Sequence, residues 1–497
     1  MRRLFAALLL VPLLTGCTVG PDFKRPPPPS DSRYIPAAEP STPGDPGRGA
    51  TAQTFVAGER MRADWWALFE SPELNDIIRT AVARNRTIEA AQARLAAAHE
   101  AVAVVSGGLY PQVDFGASVT RQKVSTASLG LEPGKFALPP NFNVYSVGPT
   151  ARFDLDIFGA TRRLIEEQTA RAELQAHQLN AAYLALGGNT ASQSILIASW
   201  RAQLQAIDDI TAIDRENLDL VRKSRDAGVA PDADVVQAES QLAADETLRP
   251  PIEQQLSQAR HALAVLVGYA PGEWTVPEFD LASLVLPREI PVSLPSSLIH
   301  QRPDILAAES GVHAASAAIG VATARLYPDF TLSASASLAA LQPSSLFDKS
   351  SLIWSIAAGA TAPIFHGGSL EAQRKAAIAD FRAAMADYEQ TVLTSFAQVA
   401  DLLQALVHDA DLLRAQQRAL DSASNSVRLQ RLSYTGGGSG VLSVLDAQRQ
   451  YQQARLGYVR AEAQRYLDTV QFFVAMGGGW WNAPAAQESD ATPVLAR

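Results

Sequence analysis

The sequence predicts an α+β membrane protein built from two internal repeats, each supplying a pair of long strands and one very long helix. Three observations carry that prediction. Blocks of sequence recur in the same order about 210 residues apart. Each copy contains stretches that alternate apolar and polar residues with period 2, the pattern of a sheet whose two faces meet different solvents. Each copy also contains a proline-free stretch of more than sixty residues rich in Ala, Leu, Gln, Glu and Arg, which reads as helix.

The chain begins with Arg2 and Arg3 before an apolar run at 4–14. That run is too short to span a bilayer and suits the core of a signal peptide over 1–16. Cys17 follows, within Leu14-Thr15-Gly16-Cys17, and is the only cysteine in the chain, so it has no internal disulfide partner. The stretch resembles the lipobox of bacterial lipoproteins. This resemblance implies a diacylglyceryl thioether on Cys17, cleavage before it and N-acylation, including palmitate, after it; an ordinary small-residue cleavage site is the alternative. Several acyl chains make membrane anchoring stable. Thr18 stands where an inner-membrane retention signal has aspartate, which points to the outer membrane. Residues 17–60 are rich in Pro, Gly, Ser and Asp, with four prolines at 26–29, and read as an extended tether.

By length alone, 497 residues suggest two to four domains, but the repeat overrides that expectation. Leu109-Tyr110-Pro111 recurs as Leu326-Tyr327-Pro328, and residues 85–92 face 302–309 at the same offset. Residues 228–239 match 437–448 at a slightly smaller one, the difference falling in a longer loop of the first copy. The copies are bounded at 61–278 and 279–476, with a tail at 477–497.

Strands are expected at about 110–125 and 143–157 in the first copy and about 328–340 and 351–364 in the second. Tyr145, Val147, Ala151, Phe153 and Leu155 alternate with Ser146, Thr150, Arg152 and Asp154. Phe330, Leu332, Ala334, Ala336 and Leu338 do the same against Thr331, Ser333, Ser335 and Ser337, and Leu352, Trp354, Ile356 and Ala358 continue the rule. Such lengths suit transmembrane strands of roughly 9 to 11 residues with lipid on one side and water on the other. A soluble β-sandwich is the alternative.

The long helices are expected at 161–227 and 369–433, each about 100 Å long at 1.5 Å per residue. Trp200, Leu204, Ile207, Leu218 and Val221 form one 3/4-spaced track, with Ile210, Ile213 and Leu220 on an adjacent one. In the returning helix of the second copy, Val444, Ala447, Tyr451, Ala454, Tyr458 and Ala461 alternate large and small residues. Four strands are too few to close a barrel, and open edges in lipid leave backbone groups unpaired. More than one chain must therefore assemble.

The segment from Cys17 to Pro26 (CTVGPDFKRP) and that from Asp64 to Leu74 (DWWALFESPEL) resemble signature segments of the TolC-type outer membrane factors, and more narrowly of the NodT-type efflux lipoproteins. The resemblance covers residues 17–478. It implies a homotrimer with one twelve-stranded β-barrel, four strands per chain, continued by a long α-helical barrel in the periplasm. It also implies an exit channel that works with a periplasmic adaptor (membrane fusion) protein and an inner-membrane transporter in small-molecule efflux and antibiotic resistance.

In that family the gate and the docking surface for the adaptor lie at the tips of two helix-turn-helix hairpins, here 228–234 and 435–443. Asp446 matches a gate aspartate, where three symmetry-related carboxylates would crowd one another and favour cations; a carboxylate favoured by a helix N-terminus is the alternative. Asp234 is its counterpart in the first copy. Asp232, after Pro231, reads first as a helix N-cap. Tyr434 matches a tyrosine that latches the closed tip in TolC, but Ser439 and Ser443 replace the latch's arginine and a further aspartate, so that latch does not transfer intact. Gly228, Gly436 and Gly437 allow tight turns at the docking tip, and a plain flexible turn explains them equally.

Other classes find little support. Net charge is −9 and no Lys/Arg block occurs, against a nucleic-acid partner. The seven histidines form no HExxH motif, and the glycine cluster at 436–440 has no following lysine for a phosphate loop. No enzymatic activity, metal or cofactor is expected beyond the lipid on Cys17. A protein-secretion duct shares the fold, and a structural coiled-coil lipoprotein would account for the anchor and helices without the strands.

Overall fold

The computed structural model describes residues 18–28, 33–35, 41–44, 49–59, 61–123, 141–278 and 280–478. The expected signal peptide over 1–16, Cys17 and most of the C-terminal tail lie outside the described residues. In chain order the elements are β1 Thr54–Ala57, α1 Pro72–Arg84, α2 Arg86–Ser106, β2 Gln112–Gln122, β3 Phe142–Leu155, α3 Ala160–Asp226, α4 Asp232–Glu246 and α5 Arg249–Val267. There follow β4 Glu289–Val292, α6 Pro295–Leu298, α7 Pro303–Ala324, β5 Asp329–Ala340, β6 Leu352–Thr361, α8 Ser369–Thr435 and α9 Val441–Ala475. The chain forms two compact units. One comprises Met1–Pro26, Arg94–Gln175 and Ala308–Tyr388; the other comprises Pro27–Ala93, Ala176–Ala307 and Glu389–Arg497.

The first unit holds a four-stranded antiparallel sheet in the order β2-β3-β5-β6. Directly opposed residues in antiparallel strands share a face, and the register sorts the side chains accordingly. Phe115 pairs with Pro149, Val147 with Leu338 and Ala334 with Ile356, giving one apolar face. Ser118 pairs with Ser146, Arg152 with Ser333 and Ser335 with Ser355, giving a polar one. On the polar face the Ser335 and Ser355 hydroxyls hydrogen-bond at 2.9 Å, and Arg152 Nε donates to Asp154 at 3.0 Å. The apolar face is bare: Phe115, Trp354 and Ile356 are 74%, 69% and 78% exposed. Pro149 brings no N–H to a central strand, and the β3–β5 register runs from Val147 to Thr150 without pairing Gly148 or Pro149. A Cβ on Gly148 would lie 2.2 Å from the Ala336 carbonyl oxygen, so only glycine fits there.

Residues 18–26 are not loose in this unit. Val19 N–H donates to Phe158 O at 3.1 Å. Arg163, on the first turn of α3, donates to Val19 O, Gly20 O and Asp22 Oδ1. Phe23 stacks on His313 with ring centroids 4.3 Å apart, and Arg25 Nε meets Glu309 at 2.5 Å. Gly20 has φ +97°, and a Cβ there would fall 2.4 Å from Gly320 Cα of α7. Helix α7 is long and apolar enough to cross a membrane, but 56% of its apolar window is buried inside the protein, and it serves as the core helix behind this segment.

The second unit is organised around a core that includes Trp65, Phe69, Tyr466, Phe472 and Phe473, all nearly fully buried. Trp65 and Phe69 come from the second signature segment, which is therefore a packing motif. Helix α1 starts cleanly: Ser71 Oγ accepts from Leu74 N–H, Pro72 occupies the first turn, and Leu74, Ile77, Ile78 and Ala81 form its buried stripe. Asn85 Oδ1 then accepts from Thr87 and Ile88 N–H to open α2.

The tether expected over 17–60 contains a strand. β1 pairs in parallel with β4, Thr54 opposite Glu289, and four residues are too few to show a period in the sequence. Beside it the fully buried Arg465 of α9 donates to Gly49 O, Thr51 O and Thr42 Oγ1. Burial pushes the Arg465 guanidinium down to about 10. The copies differ in their returning helices. The second is the continuous α9, whereas the first breaks into α4 and α5 because Pro250 and Pro251 cannot donate backbone hydrogen bonds and are tolerated only in a first turn. Leu220, placed above on the adjacent track with Ile210 and Ile213, is exposed in the chain.

Candidate gate and hairpin tips

The two turns of the second unit are built alike. At the end of α3, Gly228 takes φ +74°, its N–H donates to Arg225 O at 2.8 Å, and Val229 N–H reaches back to Ser224 O at 2.9 Å. At the end of α8, Gly437 takes φ +76°, its N–H donates to Tyr434 O at 3.0 Å, and Gly438 N–H reaches Ser433 O at 2.8 Å. Both are helix ends closed by a left-handed glycine. A Cβ on Gly228 or Gly437 would meet no atom, so backbone conformation selects glycine at both. Gly436 N–H still closes the last turn of α8 on Leu432 O.

Asp232 departs from the N-cap expectation. Pro231 occupies the cap position with extended backbone and Asp232 is the first helical residue. Proline's fixed φ suits the chain just outside the helix, and the Asp232 carboxylate acts on the helix dipole, 3.6 Å from Arg225 and 86% exposed. Asp234 is half-buried one turn in, its N–H donating to Pro231 O at 3.1 Å. Asp446 lies exposed on α9, its carboxylate held by Arg449 and by Gln450 Nε2 at 3.0 Å. Ser443 N–H donates to Gly440 O at 3.2 Å, and Ser439 Oγ is buried with no partner among the described residues.

Tyr434 packs with Leu242 against a cluster of Leu218, Val221, Val235, Ala238, Val441 and Leu445. The cluster draws on α3, α4 and α9, so the two hairpins are cemented together behind their turns. Asp446 and Asp234 do not touch one another within the chain.

Sequence reasoning missed a buried polar group further along the same helices. Asp214 of α3, Asp245 of α4 and Gln452 of α9 are 3%, 5% and 5% exposed, and Gln452 Nε2 lies 2.6 Å from Asp245 Oδ2 and 3.4 Å from Asp214 Oδ2. Asp214 sits between Ile207 and Leu218 on the apolar track, and a carboxylate inside a seam is the signal that could have found it. Alongside runs a groove of about 470 Å³ lined by Ile210, Asp214, Val427, Arg431, Gln448 and Tyr451, among others. Among the described residues no group of three or more His, Cys, Asp or Glu residues could hold a metal ion.

Comparison with known proteins gives this geometry a family. The model for outer membrane efflux proteins matches residues 77–269 and 294–478. Toluene efflux pump outer membrane protein TtgF of Pseudomonas putida is 29% identical over 97% of this chain and 98% of its own length. Nodulation protein T of Rhizobium leguminosarum bv. viciae is 30% identical over 99% and 97%. Among solved structures, the outer-membrane channel OprN superposes with a TM-score of 0.83 at 29% identity, covering 93% of this chain and 100% of OprN. The chain belongs to the outer membrane efflux protein family.

Proposed function

We propose that three copies of this outer-membrane efflux chain pool their strands into one closed twelve-stranded barrel that continues into an α-helical barrel, the passive exit duct of a tripartite pump. The observation that carries this reading is the sheet of the first unit. It has one bare apolar face, one polar face, and two edge strands, β2 and β6, with no neighbouring strand among the described residues. In lipid an unpaired edge costs several kcal/mol per backbone group, and edges vanish only on closure. With an even number of alternating strands, β6 of one copy meets β2 of the next antiparallel, so closure follows the same pairing rule around the ring; the number three comes from the family resemblance.

The lipid fits the same frame. Thr18 lies against Gly159, immediately after β3, where a Cβ would approach Thr18 Cγ2 to 2.6 Å. The lipid expected on Cys17 is an anchor accessory to the barrel. In the second unit, Asp446, Asp234 and Tyr434 form the gate, and Gly228, Asp232, Gly436, Gly437, Ser439 and Ser443 the tip that docks a periplasmic adaptor, which links the duct to an inner-membrane transporter. Relatives are named for toluene and for cation efflux, and such different cargo fits a wide duct that leaves selection to the pump. The duct conducts and catalyses nothing.

Native mass spectrometry of the detergent-extracted protein tests this reading. The expected result is three chains, each heavier by a diacylglyceryl and an acyl group, and still three chains for Cys17→Ala behind a non-lipoprotein signal peptide. A monomer in both cases would overturn it.

A further inference from the structure

We infer that Asp214, Asp245 and Gln452 form a proton-sharing joint that ties the first helical hairpin to the second behind the tip, so that protonation of this joint sets how readily the two hairpins part. The inference deepens the gate reading above and rests on it only for the link to conductance.

The geometry requires a shared proton. The buried Asp214 and Asp245 carboxyls converge on one amide, Gln452 Nε2, at 3.4 and 2.6 Å, and two carboxylates held that close out of water are stable together only when one carries a proton. Asp245 Oδ2 already accepts from Gln452 Nε2 at 2.6 Å and from Gln241 Nε2 at 2.8 Å, whereas Asp214 Oδ1 is buried with no partner among the described residues. The proton therefore sits on Asp214, the poorer acceptor. Burial, with the hydrogen bond to Asp245 and its charge next, pushes the Asp214 carboxyl up to about 8.

Arg428 and Arg431 of α8 and Tyr451 of α9 line the groove beside Asp214. Arg431 of α8 is the cation that acts on Asp214, pulling against burial, and its Nε is buried without a partner among the described residues. On α3 and α4, Arg215 and Glu246 pair with each other at 2.8 Å. On α9, Arg455 turns to Asp209 at 3.7 Å, and Gln448 contributes a buried amide with no partner among the described residues. The proton is what allows the two carboxyls to stay together.

The joint lies on three elements from both hairpins. It is 14 residues before Gly228 on α3 and 12 after Gly440 on α9, or roughly 20 Å from each turn at 1.5 Å per residue. A joint there acts as the hinge-side tie for tips that must separate. The sign follows from linkage. The closed joint binds the proton more tightly than the parted one, so its contribution is complete at acid pH. That contribution is lost as pH rises from the ordinary carboxylate range, about 4, through about 8, after which the joint is fully ionised and the dependence stops.

Hydrogen exchange of the full-length protein in lipid nanodiscs, corrected for intrinsic rates, tests the joint directly. In the wild type, protection of α4 and α9 amides around 235–250 and 441–455 should fall between pH 5 and 8 by up to tenfold per pH unit, which is the linkage limit for one proton, and then level off. Asp214→Asn supplies an N–H donor that does not titrate, so it should keep the acid-side protection at all pH values, and Asp245→Asn should flatten the same profile if the first variant misfolds. A flat wild-type profile, or a slope that survives in the Asn variants, overturns the inference. Conductance steps recorded in parallel separate the two ideas, because a pH-independent exchange profile in a conducting channel sinks the joint alone, whereas an exchange slope without conductance supports the joint and sinks the duct.

Discussion

Ile356 and Ser355 are adjacent on β6 and face opposite ways, and replacing each by arginine distinguishes a membrane sheet from a soluble one. The ten residues of β6 at about 3.3 Å each reach about 33 Å, or about 23 Å across the bilayer when tilted about 45°. Ile356, fifth of the ten, then lies within a few Å of the midplane. Arginine on a lipid face at that depth costs about 2–4 kcal/mol, a factor of about thirty to a thousand in folding equilibrium per chain at 1.4 kcal/mol per tenfold. In the isolated chain Ile356 is 78% exposed, so in water the same change would cost less than about 0.5 kcal/mol. Ser355 faces the Ser335 hydroxyl at 2.9 Å on the polar side, and Ser355→Arg forfeits about 1 kcal/mol for one exposed hydrogen bond. The assay is refolding from urea into lipid vesicles, scored by the urea midpoint for heat-resistant oligomer. Ile356→Arg should shift the midpoint far more than Ser355→Arg; equal shifts, or the reverse order, would refute the two-faced membrane sheet.

Gly148→Val places a Cβ 2.2 Å from the Ala336 carbonyl oxygen in a central strand; backbone cannot yield cheaply there, and outer-membrane insertion should fall severely while Gly116→Val, whose added Cβ meets nothing, inserts normally. Asp446→Ala combined with Asp234→Ala should raise single-channel conductance and reduce cation preference, and unchanged values for both would remove these carboxylates from the gate.

The strands were legible because their two faces meet different solvents, which writes period 2 into ten or more residues. The expected spans at about 328–340 and 351–364 compare with Asp329–Ala340 and Leu352–Thr361 in the structure. The long helices were legible from the absence of proline. What stayed hidden was short or non-periodic. β1 is four residues long, and the segment 18–26 owes its conformation to Arg163, His313 and Glu309 far along the chain. Local sequence cannot express that dependence. Asp232 shows the limit of cap rules, since Asp is favoured both at the cap and in the first turn, and Pro231 took the cap.

The tip was legible only in part. Its glycines mark the turns, but the burial of Tyr434 in a cluster fed by three helices and the meeting of Asp214 with Asp245 and Gln452 depend on which helices become neighbours. Asp446 was expected as a gate aspartate crowded by its symmetry copies, or as a carboxylate favoured by a helix N-terminus; within the chain Arg449 and Gln450 hold it.

The central claim is that this chain makes a water-filled pore only in company. Purified protein added to a planar lipid bilayer measures it most directly. Discrete conductance steps are expected from the fraction that runs as three chains and none from monomer separated from it. Silent trimers, or steps from the monomer, would contradict it.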